Sequence, residues 1–327
     1  MRTKRIIIVI AAVAVLVLGA GTAWHRVSVG DANAEKSNTA GETASTASSL
    51  SHLLALLPNA LQAVDIAQMN LLSAQNLPGA EGLDVNRCLA VLDEMAQRVR
   101  VETERHWYRF RQDPGQFENS EGYFRMIFMA VVLAEDFQVK YAPDKIGTAA
   151  QAGTGDGFFA NVEDVFLHGL TGAKHQGTCS SLPVLQVAVG RRLGYPLKLV
   201  TTKGHLFVRW EDARERFNIE AAGQGVNRFS DDYYRHWPLE VSAEEILADG
   251  HLKSLSSAGE LAVFLSIRGM CLKEARRYGD AAYSFREAAR LAPDCRSYAL
   301  MQSQMEGMAG RTRNNTIALT QKGEQQP

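Results

Sequence analysis

The stretch His175-Gln176-Gly177-Thr178-Cys179-Ser180-Ser181 leads into an apolar run in which Leu182, Leu185, Val189 and Leu193 share one helical face. A cysteine therefore stands at the start of a predicted helix. Pro183 deep inside a helix would clash with the carbonyl of Cys179, so the regular helix is expected to begin nearer Ser181. Gly194-Tyr195-Pro196 ends it, Leu197 to Thr201 reads as a short apolar strand, and Lys203-Gly204 turns the chain. Next, Leu206, Val208 and Trp210 alternate with His205, Phe207 and Arg209, the period of two of a strand. Arg216, Asn218 and Glu220 alternate likewise with Phe217 and Ile219. A four-residue connection from Glu211 to Arg214 would pair Trp210 with Glu215, and so His205 with Glu220. Directly opposed residues share a face of the sheet, within reach of a hydrogen bond.

That order, thiol, imidazole, carboxylate, is what a nucleophilic cysteine requires. A helix N-terminus and a neighbouring imidazolium both favour the thiolate, the reactive form. Cys179 is the expected nucleophile, His205 the base that takes its proton and later gives it to the leaving amine. Glu220 is expected to orient the imidazole. The Cys179 N–H would hold an oxyanion, with Gln176 as the candidate second donor. His175 and Cys179 are four apart, a spacing that suits metal ligands on a helix, but Gly177 lies between them. No HExxH or CxxC pair is present, so neither a metal nor a cofactor is expected.

Upstream, residues 52–76 and 84–104 read as helices separated by Leu77-Pro78-Gly79. Phe124, Ile127, Phe128, Val131 and Val132 recur at the spacing of a third helix, and residues 141–160 read as a long loop. Glu135-Asp136 and Asp231-Asp232 read as solvated faces. Downstream, Leu265, Gly269, Leu272, Tyr278, Ala281, Phe285, Ala288 and Pro293 stand where a tetratricopeptide repeat places its large, small and aromatic residues. Arg268 departs from the leucine usual there. A repeat and a half cannot bury its own faces, so this segment must pack on the preceding domain or on a protein partner.

Gly177-Thr178-Cys179-Ser180-Ser181-Leu182-Pro183, Arg191-Arg192-Leu193-Gly194-Tyr195-Pro196 and Gly204-His205-Leu206-Phe207-Val208-Arg209-Trp210 together resemble the transglutaminase-like branch of the papain-type superfamily. They are most similar to its bacterial SirB-type proteins, which join a transglutaminase-like region to tetratricopeptide repeats. The resemblance spans roughly residues 60–300 and is strongest from Gly177 to Gly225. It implies an α+β papain-like fold and carries the superfamily's cysteine, histidine and acid onto Cys179, His205 and Glu220. The third member is usually Asp, and Glu220 is one methylene longer. Many SirB-type relatives lack the cysteine, which is present here.

Arg2, Lys4 and Arg5 precede 18 uncharged residues, Ile6 to Ala23. This reads as a transmembrane anchor or a signal peptide, with cleavable sites at Gly21-Thr22-Ala23 and Ala32-Asn33-Ala34. The anchor is preferred because the run exceeds the usual signal core of about 7–15 residues. In either case the body is exported. The expected organisation is a basic flank (1–5), the anchor or signal (6–23), a disordered linker (24–51), a transglutaminase-like domain (52–255), a repeat-like helical segment (256–310) and a disordered tail (311–327). With 327 residues, net charge −1 and no basic stripe, nucleic acid is excluded as a partner. The expected partners are a peptide or protein substrate, the membrane through the N-terminus, and a protein bound by the C-terminal helices. Four cysteines, Cys88, Cys179, Cys271 and Cys295, permit disulfides in an exported chain, and Cys271 with Cys295 is the candidate pair.

Overall fold

Short polar residues set where the helices begin. A computed structural model describes residues 48–147, 157–221 and 226–323. In it Ser49, Asp65, Asp84 and Ser120 each accept a backbone N–H with their side chains. They cap α1 (Leu50–Ala55), α2 (Ile66–Ala74), α3 (Val85–Gln112) and α4 (Glu121–Glu135). The first expected helix, 52–76, is thus broken in two, with a 3₁₀ turn at Ala60–Ala63 between the pieces. On α3, Cys88, Leu92, Met95, Ala96 and Val99 are buried at helical spacing. The expected basic flank, anchor or signal, and most of the linker lie outside the described residues. Among the described residues no helix is long and apolar enough to cross a membrane.

Next come β1 (Lys140–Tyr141), the short helices α5 (Val162–Val165) and α6 (His168–Thr171), and β2 (Gln176–Gly177). β1 and β2 pair in parallel. The helix after Cys179 is α7 (Leu182–Arg192). Its residues Leu182 to Gly190 are all buried, which makes it the central helix, in contact with α2, α3 and the sheet. That sheet is an antiparallel meander, β3 (Leu197–Thr202), β4 (His205–Glu211), β5 (Arg216–Glu220) and β6 (Asn227–Phe229), ordered as in the chain. Architecturally this is a mixed helix-and-sheet protein.

Alternation along β4 does not separate core from solvent, because both faces are covered. Leu206, Val208 and Trp210 join the main core, while Phe207 packs with Val200 and Tyr234 in a second cluster. Arg209 is buried with them and donates to Asn218 at 2.8 Å and Asp231 at 2.6 Å. Asp231, expected on a solvated face, is therefore the counter-ion of a buried guanidinium. It opens α8 (Asp231–His236), which is followed by α9 (Ala243–Asp249). Glu135 and Asp136 are exposed as expected, with Asp136 pairing with Arg98 at 2.5 Å.

The C-terminal helices are α10 (Ser257–Glu274), α11 (Tyr278–Leu291) and α12 (Arg296–Gly323). A Cβ on Gly269 would come within 2.7 Å of the Phe285 ring, so only glycine allows α10 and α11 this approach. Arg268, where the expected repeat would carry leucine, has a partner of its own. Its Nη1 donates to the carbonyls of Ser73 (2.8 Å) and Gln75 (2.7 Å), capping the C-terminus of α2. Arg191 of α7 also meets Glu260 of α10, which is 0 % exposed. The helices thus dock on the preceding segment, as expected for a helical segment that cannot bury its own faces. α12 continues through Gly323, past Arg311, where a disordered tail was expected. Once α11 holds its start, each further residue adds a backbone bond. All four cysteines are free, and the Cys295 thiol faces Asp249 rather than Cys271.

Candidate active site

Cys179 lies in the turn between β2 and α7. The Thr178 carbonyl accepts from the N–H groups of Ser181 (3.1 Å) and Leu182 (2.9 Å), which winds the chain into the helix. Pro183 falls in the first turn, where a missing N–H costs nothing. The hydroxyls of Thr178 and Ser181 both donate to the Asp164 carbonyl, at 3.1 and 2.8 Å, while the Thr178 N–H donates to Ser181 Oγ at 3.0 Å. Gly177 makes this latch possible. A Cβ there would strike Ser181 Oγ and lie 3.0 Å from both Leu170 methyl carbons.

His205 is the first residue of β4 and Glu220 the last of β5. The hairpin register pairs Val208 with Ile219 and Trp210 with Phe217, two residues away from the expected Trp210–Glu215 pairing. Its loop starts one residue later, with the Asp212 N–H donating to the Glu215 carbonyl and Asp212 Oδ1 accepting from the N–H groups of Arg214 and Glu215. In this register Glu220 faces Phe207, and His205 is its diagonal neighbour on the same face. A two-residue slip keeps the face, so the expected contact forms: His205 Nε2 lies 2.8 Å from Glu220 Oε2. The Tyr234 hydroxyl donates to the same oxygen at 3.2 Å.

Glu220 takes Nε2 and thereby fixes the tautomer, leaving Nδ1 for the thiol. Nδ1 is buried and makes no full hydrogen bond among the described residues. Burial, the largest influence on the imidazole, opposes its charge. The Cys179 thiol and the Glu220 carboxylate outweigh it together and push the His205 pKa up to about 9. An imidazole held cationic at neutral pH beside a sulfur is the setting that favours a thiolate. The Trp237 ring meets the imidazole edge-on with centroids 4.7 Å apart, and Tyr234 lies nearly parallel to it at 6.2 Å. Rotation of the imidazole is thus restrained by its ring neighbours as well as by Glu220. Cys179, His205 and Glu220 are 1 %, 4 % and 4 % exposed, and charges act more strongly in such a buried site.

Tyr141 also reaches this site. Its hydroxyl is enclosed and makes no full hydrogen bond among the described residues, and Cys179 is the neighbour that perturbs it most. Burial first, then Cys179, pushes the phenol pKa upward, so it stays protonated. Gln176, the expected oxyanion donor, pairs with Lys140, whereas Tyr141 pairs with Gly177. Side chains alternate along strands, which puts Gln176 on the opposite face of the two-stranded ribbon from Tyr141. His175 takes a positive φ of 50° before this strand. Among the described residues no group of three or more His, Cys, Asp or Glu side chains is placed to hold a metal ion.

Cys179, His205 and Glu220 were readable from local spacing. Tyr141, Tyr234 and Trp237 were not, although the run Tyr233-Tyr234-Arg235-His236-Trp237 is rich enough in aromatics to have drawn notice. No family model, curated protein or solved structure matches the chain.

Proposed function

We propose that the protein is a transglutaminase-like cysteine enzyme of papain-like fold that hydrolyses amides in peptide or protein substrates, or transfers their acyl groups. The observation that carries this reading is the buried relay itself. Glu220 holds one nitrogen of His205 at 2.8 Å, and the other nitrogen is left to the Cys179 thiol. The Cys179 thiolate attacks the carbonyl carbon, an S–C bond forms, and the carbonyl electron pair moves onto oxygen. Collapse of that intermediate restores the carbonyl and breaks the C–N bond as imidazolium Nδ1–H protonates the leaving amine. Water or a second amine, deprotonated by His205, then attacks the thioester and releases the thiolate. Glu220 stabilises the cation throughout.

The basic flank and apolar run of the N-terminus support an exported enzyme anchored in the cell membrane. Iodoacetamide labelling of the full chain at pH 6 tests the chemistry. Rapid labelling of Cys179 that His205→Ala abolishes is expected. A rate that rises only with the ionisation of an ordinary thiol, near pH 8.5, rejects it. One observation favours a second reading, a non-catalytic scaffold that binds an envelope partner through α10 to α12: Cys179 is 1 % exposed. A thiol inert to iodoacetamide in the folded chain is the outcome that scaffold requires.

A further inference from the structure

A tetrahedral intermediate on Cys179 needs donors aimed at its oxygen, and one backbone N–H is half of such a site. The Cys179 N–H donates to no backbone carbonyl among the described residues. It faces the hydroxyl of Tyr141, which neighbours the thiol as well. The backbone holds Tyr141 in that place. On one side of it the Lys140 N–H donates to the His175 carbonyl at 3.0 Å, and on the other the Ala142 N–H donates to the Gly177 carbonyl at 2.8 Å. These bonds clamp β1 to the segment that leads into the nucleophile turn. Gly177, directly across from Tyr141, has no Cβ on the face they share.

An enclosed hydroxyl that makes no full hydrogen bond among the described residues is an unfavourable feature unless something arrives to accept from it. We infer that the Tyr141 O–H and the Cys179 N–H together form the oxyanion hole, with Tyr141 as its side-chain donor. This role rests on the proposed thiol chemistry. When the S–C bond forms, the carbonyl electron pair moves onto the substrate oxygen, which accepts from both groups. When the C–O or C–N bond to the leaving group breaks, that pair returns and the two hydrogen bonds relax. The phenol gives up no proton and remains a donor. Gln176, on the other face of the ribbon, takes no part.

Two reagents that meet the same sulfur separate this role from a structural one. p-Nitrophenyl acetate acylates the thiol through a tetrahedral oxyanion, whereas iodoacetamide alkylates it by displacement without one. In the full chain, Tyr141→Phe is expected to slow acylation by on the order of 10²–10³ and to leave alkylation within about twofold of wild type. An equal fall in both rates, which leaves their ratio unchanged, would make Tyr141 a packing residue of the Cys179–His205 pair, and both rates at the wild-type level would overturn the assignment outright. Loss of acylation in Gln176→Ala with Tyr141→Phe unaffected would move the role to Gln176. Wild-type protein inert to both reagents would remove the enzyme reading, and this role with it.

Discussion

Replacing Glu220 by glutamine removes a charge while nearly preserving shape. The amide oxygen still accepts from His205 Nε2–H and from the Tyr234 hydroxyl, which lie 2.8 and 3.2 Å from the present carboxylate oxygen. Orientation is therefore retained, and the measurement isolates electrostatics. In the wild type, Cys179 and Glu220 together overcome the burial of His205 and hold its pKa up to about 9. An opposite charge at this range shifts a pKa by about 1–3 units, or about 1.4–4 kcal/mol of imidazolium stabilisation. Without it, burial opposes Cys179 alone, and the midpoint should fall to between about 6 and 8. The assay is an NMR titration of isotope-labelled histidine, with the His205 resonance assigned through its absence in His205→Ala. The labelling rate of Cys179 at pH 8 should fall in parallel, as the cation beside the sulfur is lost. A Glu220→Gln midpoint within about half a unit of wild type would refute the reasoning. So would a wild-type imidazole titrating near the ordinary 6.5.

The same pKa sets a pH dependence of stability. A histidine raised in the folded state stabilises fully below its unfolded value of about 6.5, and that stabilisation disappears as pH rises through about 9. Urea unfolding should therefore find His205→Ala more destabilising at pH 6 than at pH 10, by on the order of 3 kcal/mol. Arg268→Leu supplies the leucine that the sequence resemblance leads one to expect, yet removes the donor to the Ser73 and Gln75 carbonyls, and should lower stability by about 1–3 kcal/mol. A thermal melt at or above that of wild type would show those carbonyls satisfied without it. Arg191→Met leaves Glu260 buried without its counter-ion, at a cost of about 3 kcal/mol, and adding Glu260→Leu should recover much of the loss. Denaturant midpoints that fall further in the double variant would contradict this.

What the sequence disclosed, it disclosed through local periodicity. The buried stripe of α4, the start and end of α7 and the strands β3 to β5 each follow from a repeat of 3.6 or 2 within a few residues of a Pro, Gly or Ser signal. Features that depend on distant partners did not show. Asp231 looks like a surface acid until β4 brings Arg209 against it, and Arg268 looks like a lapse in a repeat until α2 presents its carbonyls. The break between α1 and α2 was missed because apolar residues continue through Ala60–Ala63, which offers a helix-like pattern across a 3₁₀ turn.

The two halves of the candidate site illustrate the difference. The His205–Glu220 contact survives a register two residues from the expected one, because a pleated strand repeats every two residues and an even slip leaves each side chain on its own face. Parity alone carried the information, and parity is local. Tyr141 stands 38 residues before Cys179 on a strand of two residues, too short to have a period, and it arrives by parallel pairing with β2. No spacing rule links those positions; the bonds of Lys140 and Ala142 to the His175 and Gly177 carbonyls do. The donor inferred for the oxyanion is for that reason the residue a reading of spacing passes over. Gln176, three residues away in sequence, is the one it selects, and strand alternation turns that residue to the other face.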